Sequence, residues 1–245
     1  MIKELSIIFP LYNEEKRLKR TFIEIFNFKK KIKKNKKIEI IFVNDGSSDN
    51  SQLLIESFIK KTKTQNFNIK IFKLKKNMGK GYAIKHGVKK TSKKWILTTD
   101  IDLSVSLNQI LEWEKHYSLQ SKNIIFGSRN LSQSKVEKNF FRFVLGNFFT
   151  FFVKLFLNIS LFDTQCGFKL YKKTTAKKIF SQLTNYGFTH DLELVIISEK
   201  FKFEIIELPV KWTHKKGSKL NIFFEPIKML LNIIYLRFKY TSLKN

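Results

Sequence analysis

Apolar residues along this chain fall into short dense runs, separated by longer stretches in which they recur every three or four positions. Leu5 to Phe9 is a run of strand character that Pro10 closes. Behind it Leu18, Phe22, Ile25 and Phe26 keep helical spacing, with Asn13 placed as the N-cap and Glu14 and Glu15 in the first turn. Ile38 to Val43 predicts a second strand, with a helix starting near Asn50. Ile69 to Leu74 predicts a third, followed by a helix to about Lys90. A fourth apolar run begins at Trp95 and ends in Asp100-Ile101-Asp102; a helix from Leu107 to about Tyr117 and a strand from Ile124 to Phe126 follow. This alternation predicts an α/β fold, a mostly parallel central sheet flanked by helices. Such sheets bind ligands beyond the carboxyl ends of their strands. The turns expected there carry Tyr12 and Glu14, then Asp45 and Asp49, then Gly79 to Gly81, then Asp100 and Asp102.

Charge changes the picture next. Lys and Arg number 47 against 20 Asp and Glu, a net charge of +27. Such a molecule seeks anions: nucleic acid, an anionic membrane surface or phosphorylated substrates. The lysines are scattered through connecting segments such as Lys29 to Lys37, and the phenylalanines follow helix and strand periods instead of interleaving with them. A nucleic-acid-binding module needs a clustered basic face with stacking aromatics, so it is the distant alternative and no nucleic acid partner is expected. Cys166 is the single cysteine, which excludes an internal disulfide and fits a reducing compartment. No signal-peptide pattern precedes the first strand.

In so basic a chain the doublet Asp100 and Asp102 stands out, because two neighbouring carboxylates are stable together only beside cations. Mg²⁺ or Mn²⁺ suits them, being a hard ion that takes oxygen ligands and keeps positions open for substrate phosphates. A dinucleotide-binding fold is excluded by detail: Pro10-Leu11-Tyr12-Asn13-Glu14 stands where G-x-G-x-x-G would follow the first strand, and no G-x-x-x-x-G-K-[ST] occurs. Arg129, after the fifth strand, can grip phosphate oxygens in two-pronged fashion. Cys166 reads as a small packed residue, and neither His190 nor His214 has a ligand-spaced partner.

Phe9 to Glu15, Asn44 to Asp49, Asn77 to Gly81 and Asp100-Ile101-Asp102 together resemble, in order and spacing, the family 2 glycosyltransferases of the GT-A fold. Asp163 to Leu170, Asp191 to Leu194, and Trp212 with Gly217 to Leu220 are similar to the dolichyl-phosphate β-glucosyltransferases, with polyprenyl-phosphate mannose synthases as cousins. The resemblance implies inverting, metal-dependent transfer of glucose from UDP-glucose to a polyprenyl phosphate. Its alternatives are GDP-mannose as donor or a saccharide as acceptor. It further implies that Pro10, Tyr12, Glu14, Asp45, Lys80 and Asp100 bind the donor and that Asp100 and Asp102 hold the metal. Asp163, Gln165, Glu193, Ser218 and Lys219 would meet the acceptor, while Arg129 and Asp191 join the aspartate doublet as catalytic residues. Ser104 stands where mannose synthases often carry Gln, so no third protein ligand is assigned.

Phe140 to Phe162 is the most apolar long stretch, yet Arg142 and Lys154 interrupt it and Asn147, Thr150, Lys154 and Asn158 form a narrow polar stripe. That pattern predicts a helix, about 138–162, lying in a membrane interface with its basic residues toward anionic headgroups; a core helix is the alternative. A second amphipathic helix is expected over Asn221 to Tyr240, so the chain divides into a transferase domain, 1–220, and a C-terminal helix, 221–245. Peripheral attachment on the cytoplasmic side of a membrane follows from the two together.

Overall fold

Five strands whose residues are buried almost without interruption cannot lie at a surface, and they form the middle of the sheet. A computed structural model describes residues 1–62, 67–137, 140–215 and 224–241. In chain order the first half runs β1 (Glu4–Leu11), α1 (Glu15–Lys31), β2 (Lys37–Asn44), α2 (Ser51–Thr62), β3 (Phe67–Lys73), α3 (Lys80–Lys90), β4 (Trp95–Thr98) and α4 (Gln109–His116). The second half runs β5 (Ile124–Ser128), β6 (Lys135–Val136), α5 (Phe140–Leu157), β7 (Lys169–Lys172), α6 (Lys173–Gln182), α7 (His190–Lys200), β8 (Ile205–Pro209), β9 (Lys211–Trp212) and α8 (Phe224–Thr241). Seven strands pair in the order β3-β2-β1-β4-β7-β5-β8, all parallel except β7, and β6 with β9 makes a short separate ribbon. Two apolar cores sandwich the sheet. One lies under α1, α2 and α4 around Phe9, Phe42 and Trp113; the other lies under α3, α6 and α7 around Tyr171, Phe180 and Leu192.

Pro10 does not close β1, which continues to Leu11 in register with Asn44 of β2. It closes only one side of it. The Ile8 carbonyl accepts from Thr99 and the Leu11 carbonyl from Asp45, so alternate residues of β1 face β4 and β2, and the missing N–H of Pro10 falls on the β4 side. Pairing with β4 ends at Ile8 and Thr98. Beyond that point the two strands part, and the sheet opens between β1 and β4, where strand order reverses.

Asn13 does not cap α1 either. Its φ is +54°, and its Oδ1 accepts from the backbone N–H groups of Ser48 (2.8 Å) and Asp49 (3.3 Å), while Asp49 and Ser51 accept from Glu15 and Glu14. A short amide tolerates the left-handed region, so Asn13 stitches the turn after β1 to the turn after β2. Gly46 (φ +74°) is required in that second turn, because a Cβ there would sit 2.6 Å from the Lys76 backbone.

Candidate active site

A cavity of about 800 Å³ opens beyond the carboxyl ends of β1, β2 and β4, a volume suited to a nucleotide sugar. Pro10, Tyr12, Glu14, Asp45, Lys80 and Asp100, the residues expected at the donor, all line it, as do Asp102, Arg129, Gln165 and Asp191.

Asp45 accepts the N–H groups of Met78 and Gly79, both at 2.8 Å, and so fixes the loop that leads into α3. Burial pushes its carboxyl above the usual aspartate range against those two hydrogen bonds. Lys80 follows at the first position of α3, where the helix dipole also favours anions. Close packing explains its flanking glycines better than flexibility does: a Cβ on Gly79 would lie 2.4 Å from the Tyr186 carbonyl oxygen, and one on Gly81 2.7 Å from His190.

The Lys80 ammonium meets Asp100 Oδ1 at 2.6 Å. Burial opposes both charges, yet their attraction prevails and each is held in its ionised form, with Asp191 helping Lys80 and Lys169 helping Asp100. Gly167 closes over the same carboxylate, since a Cβ there would be 2.3 Å from Asp100 Oδ2. Asp102 Oδ1 accepts from the Ser104 N–H at 2.9 Å. Asp100, already drawing a cation, and Asp102 on the same wall fit a divalent ion's oxygen preference. Among the described residues no cluster of three or more His, Cys, Asp or Glu side chains could hold a metal. An ion seated on these two carboxylates would keep open positions for water or phosphate oxygens.

Arg129 reaches the cavity by way of Asp163, which accepts from its Nε (2.7 Å), its Nη2 (2.9 Å) and its backbone N–H (2.9 Å). Asp163 is buried and does not line the cavity, so it orients the guanidinium and leaves no oxygen turned toward an acceptor. Gln165 is different. Its side chain lines the cavity and its buried Nε2 has no hydrogen-bond partner among the described residues, a donor left for a ligand. Asp191 Oδ1 accepts from the Lys169 ammonium at 2.8 Å and lies 3.3 Å from His190 Nε2. Burial disfavours its charge, but His190 and Lys169 hold its pKa below the usual range.

Glu193 departs from expectation altogether. It is fully buried outside the cavity, with both oxygens taken by the 184–185 backbone and by α8. Ser218 and Lys219 lie outside the described residues. Two groups were overlooked. Lys169 is buried and clamps Asp191, a role that its place in the Asp163 to Leu170 motif could have suggested. His214 lines the cavity with Asp102 because Thr213 donates to the Ser104 carbonyl and Trp212 bridges Val105, seating the end of β9 on the loop after β4. The signal was Trp212, two residues earlier.

The far wall is apolar. Gly146 and Phe149 of α5, with Met229 and Leu230 of α8, face the same cavity, and the two helices pack on each other. Val153, Ile233 and Leu236 turn inward, whereas Phe151, Leu155, Leu231, Tyr235 and Phe238 are exposed, the last at 72 %. Among the described residues no helix is long and apolar enough to cross a membrane.

The sequence profile described as glycosyl transferase family 2 matches residues 6–180. The chain is 36 % identical to a dolichyl-phosphate β-glucosyltransferase of Dictyostelium discoideum, over 96 % of this chain and 74 % of that protein. It is 32 % identical to the human enzyme of the same name, over 98 % of this chain and 76 % of that one. In fold it resembles glucosyl-3-phosphoglycerate synthase of Mycobacterium tuberculosis, crystallised with Mn²⁺, UDP and glucosyl-3-phosphoglycerate, at a TM-score of 0.69 and 12 % identity, over 96 % of this chain and 80 % of that one. The GT-A architecture, the cavity at the sheet's opening and the matched profile agree: the chain is a glycosyltransferase and belongs to family 2.

Proposed function

We propose that the protein transfers glucose from UDP-glucose to a polyprenyl phosphate of the dolichyl type, inverting the anomeric carbon to give a β-linked lipid-phosphate sugar. The observation that carries this reading is the two-sided cavity. One wall gathers Asp45, Lys80, Asp100 and Arg129, suited to a nucleoside diphosphate, while the other is built from apolar side chains of α5 and α8. The names of the relatives point to the same substrates.

Pro10, Tyr12, Glu14 and Asp45 hold the nucleoside, and Lys80 and Arg129 take the diphosphate oxygens. Mg²⁺ or Mn²⁺, held by Asp100 and Asp102, would supply Lewis-acid neutralisation of the departing UDP. Asp191, kept ionised, accepts from a hexose hydroxyl, and Gln165 Nε2 donates to an oxygen of the bound substrate. The acceptor phosphate is already anionic near neutral pH, so its oxygen attacks C1 without a strong base. A new bond forms between that oxygen and C1 as the bond from C1 to the UDP oxygen breaks and its electron pair leaves with UDP. The wall opposite the leaving group does little beyond positioning, which suffices for such a displacement.

The exposed faces of α5 and α8, with Lys154, Lys228 and Arg237 near them, seat the protein peripherally on the cytoplasmic leaflet. A single assay tests the substrate assignment. The protein is incubated with dolichyl phosphate and radiolabelled UDP-glucose or GDP-mannose, and the organic phase is counted. Label from UDP-glucose in a mild-acid-labile lipid is expected. Label from GDP-mannose alone, or label only in water-soluble saccharide, overturns the assignment.

A further inference from the structure

Glu193 lies two residues beyond Asp191 in α7 and is completely buried, yet it does not reach the cavity. Its carboxylate joins three separate parts of the molecule. Oε2 accepts from the backbone N–H groups of Thr184 (2.9 Å) and Asn185 (2.6 Å). Oε1 accepts from the Thr184 hydroxyl (2.7 Å), the Lys239 ammonium (2.7 Å) and the Tyr240 hydroxyl (2.9 Å), the last two at the end of α8. Lys239 also donates to the Thr184 hydroxyl. Five donors on one carboxylate exceed what capping α7 or the 184–185 turn would need.

The segment so held is the one that supports Lys80. Directly after Asn185, the Tyr186 carbonyl accepts from the Gly81 N–H at 2.9 Å, satisfying one of the N–H groups that α3 leaves open at its first turn. The same carbonyl oxygen is the atom that forbids a side chain on Gly79. The Tyr186 ring packs edge-on against Tyr82 with centroids 5.0 Å apart, and Lys85 donates to the Leu183 carbonyl at 2.8 Å. Gly187 and Phe188, next in line, form part of the cavity wall. An unbroken chain of contacts therefore runs from the end of α8 through Glu193 and the 184–186 backbone to the residues flanking Lys80.

We propose that Glu193 is a positioning residue for the donor, through which the seating of α8 on the domain and the placement of Lys80 at the diphosphate are one equilibrium. Lys239 and Tyr240 then act on nucleotide binding although neither lines the cavity. This rests on the proposed function in one respect, that Lys80 meets the diphosphate. A simple structural latch predicts something else: loss of the α8 contacts would lower stability and leave the donor site as it was.

The test uses the full-length chain and UDP with Mn²⁺, with affinity measured by calorimetry and stability by thermal unfolding. The double variant Lys239→Met plus Tyr240→Phe removes the donors from α8 while sparing the 184–185 backbone contacts. It should weaken UDP binding about tenfold, within the usual range of coupling between distant sites. KM for the donor should rise in step, with kcat within about twofold of the parent. Lys80→Met serves as control and closes a cycle: once Lys80 is gone, the α8 changes should weaken UDP binding no further. If Lys80→Met leaves UDP affinity intact, the diphosphate role of Lys80 falls. If it weakens binding while the α8 variant only lowers the unfolding midpoint, or if the two effects simply add, the positioning role of Glu193 falls.

Discussion

At the donor end of the cavity nearly every inward-facing polar group is held by its neighbours, whereas at the α5–α8 end the wall is made of apolar side chains whose counterparts on the outer faces are exposed. Asp45 is fixed by two backbone N–H groups, Arg129 by three contacts to Asp163, and Asp100 by Lys80 and the closed space beside Gly167. Preorganised charges of this kind stabilise a leaving diphosphate because no reorganisation is needed when charge develops. Phe149, Met229 and Leu230 have no such partners to satisfy and only exclude water. A phosphate that attacks as an anion gains from a dry wall, because its hydration is stripped on arrival. On the proposed function, charge chemistry falls to one end and lipid handling to the other, and changes at each end should therefore fail in different assays.

The largest effect is expected from Asp100→Ala plus Asp102→Ala. Transfer should fall by roughly a thousandfold or more, in line with loss of charge neutralisation at a leaving group, and added Mn²⁺ should not restore it. Vesicle binding should be unchanged. A variant that loses both functions would break the division between the two ends. Arg129→Lys comes next, with about a hundredfold loss in kcat, because an ammonium cannot keep the two-pronged pairing with Asp163 and still face the diphosphate. Steady-state kinetics at saturating acceptor would show it, and near-normal turnover would remove Arg129 from the chemistry.

The two ends also differed in how well the sequence foretold them. The donor end was legible because each of its motifs sits in a turn after a parallel strand, and fold topology alone brings such turns together. Local detail escaped where a long-range partner decided it: Pro10 is tolerated in β1 because β4 has already ended beside it, and Asn13 caps the neighbouring turn and not its own helix. Asp163 and Glu193 were read as facing the acceptor because they belong to the right motifs. Their side chains are committed instead to Arg129 and to α8, which only packing could reveal. For α5 the sequence offered an interface helix and a core helix as rivals; Val153 packs into the core while Phe151 and Leu155 are exposed, so the helix carries one buried and one exposed apolar face.

The two faces can be tested apart. Phe151→Ser, Leu155→Ser and Phe238→Ser together remove three exposed apolar groups without touching the cavity wall. At about 25 cal/mol per Å² of apolar area withdrawn from water, their combined loss should lower partitioning onto anionic vesicles tenfold or more. Turnover of a short-chain, water-soluble polyprenyl phosphate should stay within about twofold of the parent. Sedimentation with vesicles gives the first quantity and a soluble-acceptor assay the second. Unchanged partitioning would show that these faces do not meet lipid.

The smallest effect concerns pH and tests whether the donor end is rigid because its charges are paired. Burial alone would raise the carboxyl of Asp163, but the Arg129 guanidinium and the N–H groups around it hold the pKa below its ordinary value of 3.8. A depressed folded pKa means that the folded state binds protons less readily than the unfolded chain. The stabilisation is therefore fully present above the unfolded value and is lost as pH falls through the folded one. Asp100 and Asp191 are shifted in the same direction, so the whole site should loosen together in acid. Asp163→Asn should lower stability at pH 7 by about 2 kcal/mol, the cost of a lost charge-assisted hydrogen bond, and should shrink that deficit steadily below pH 4 as the parent loses the same contribution. Urea unfolding of both proteins at pH 7, 5, 4 and 3 gives the difference directly. A constant gap between the two curves would mean that Asp163 and Arg129 are held together by packing, with their charges contributing little.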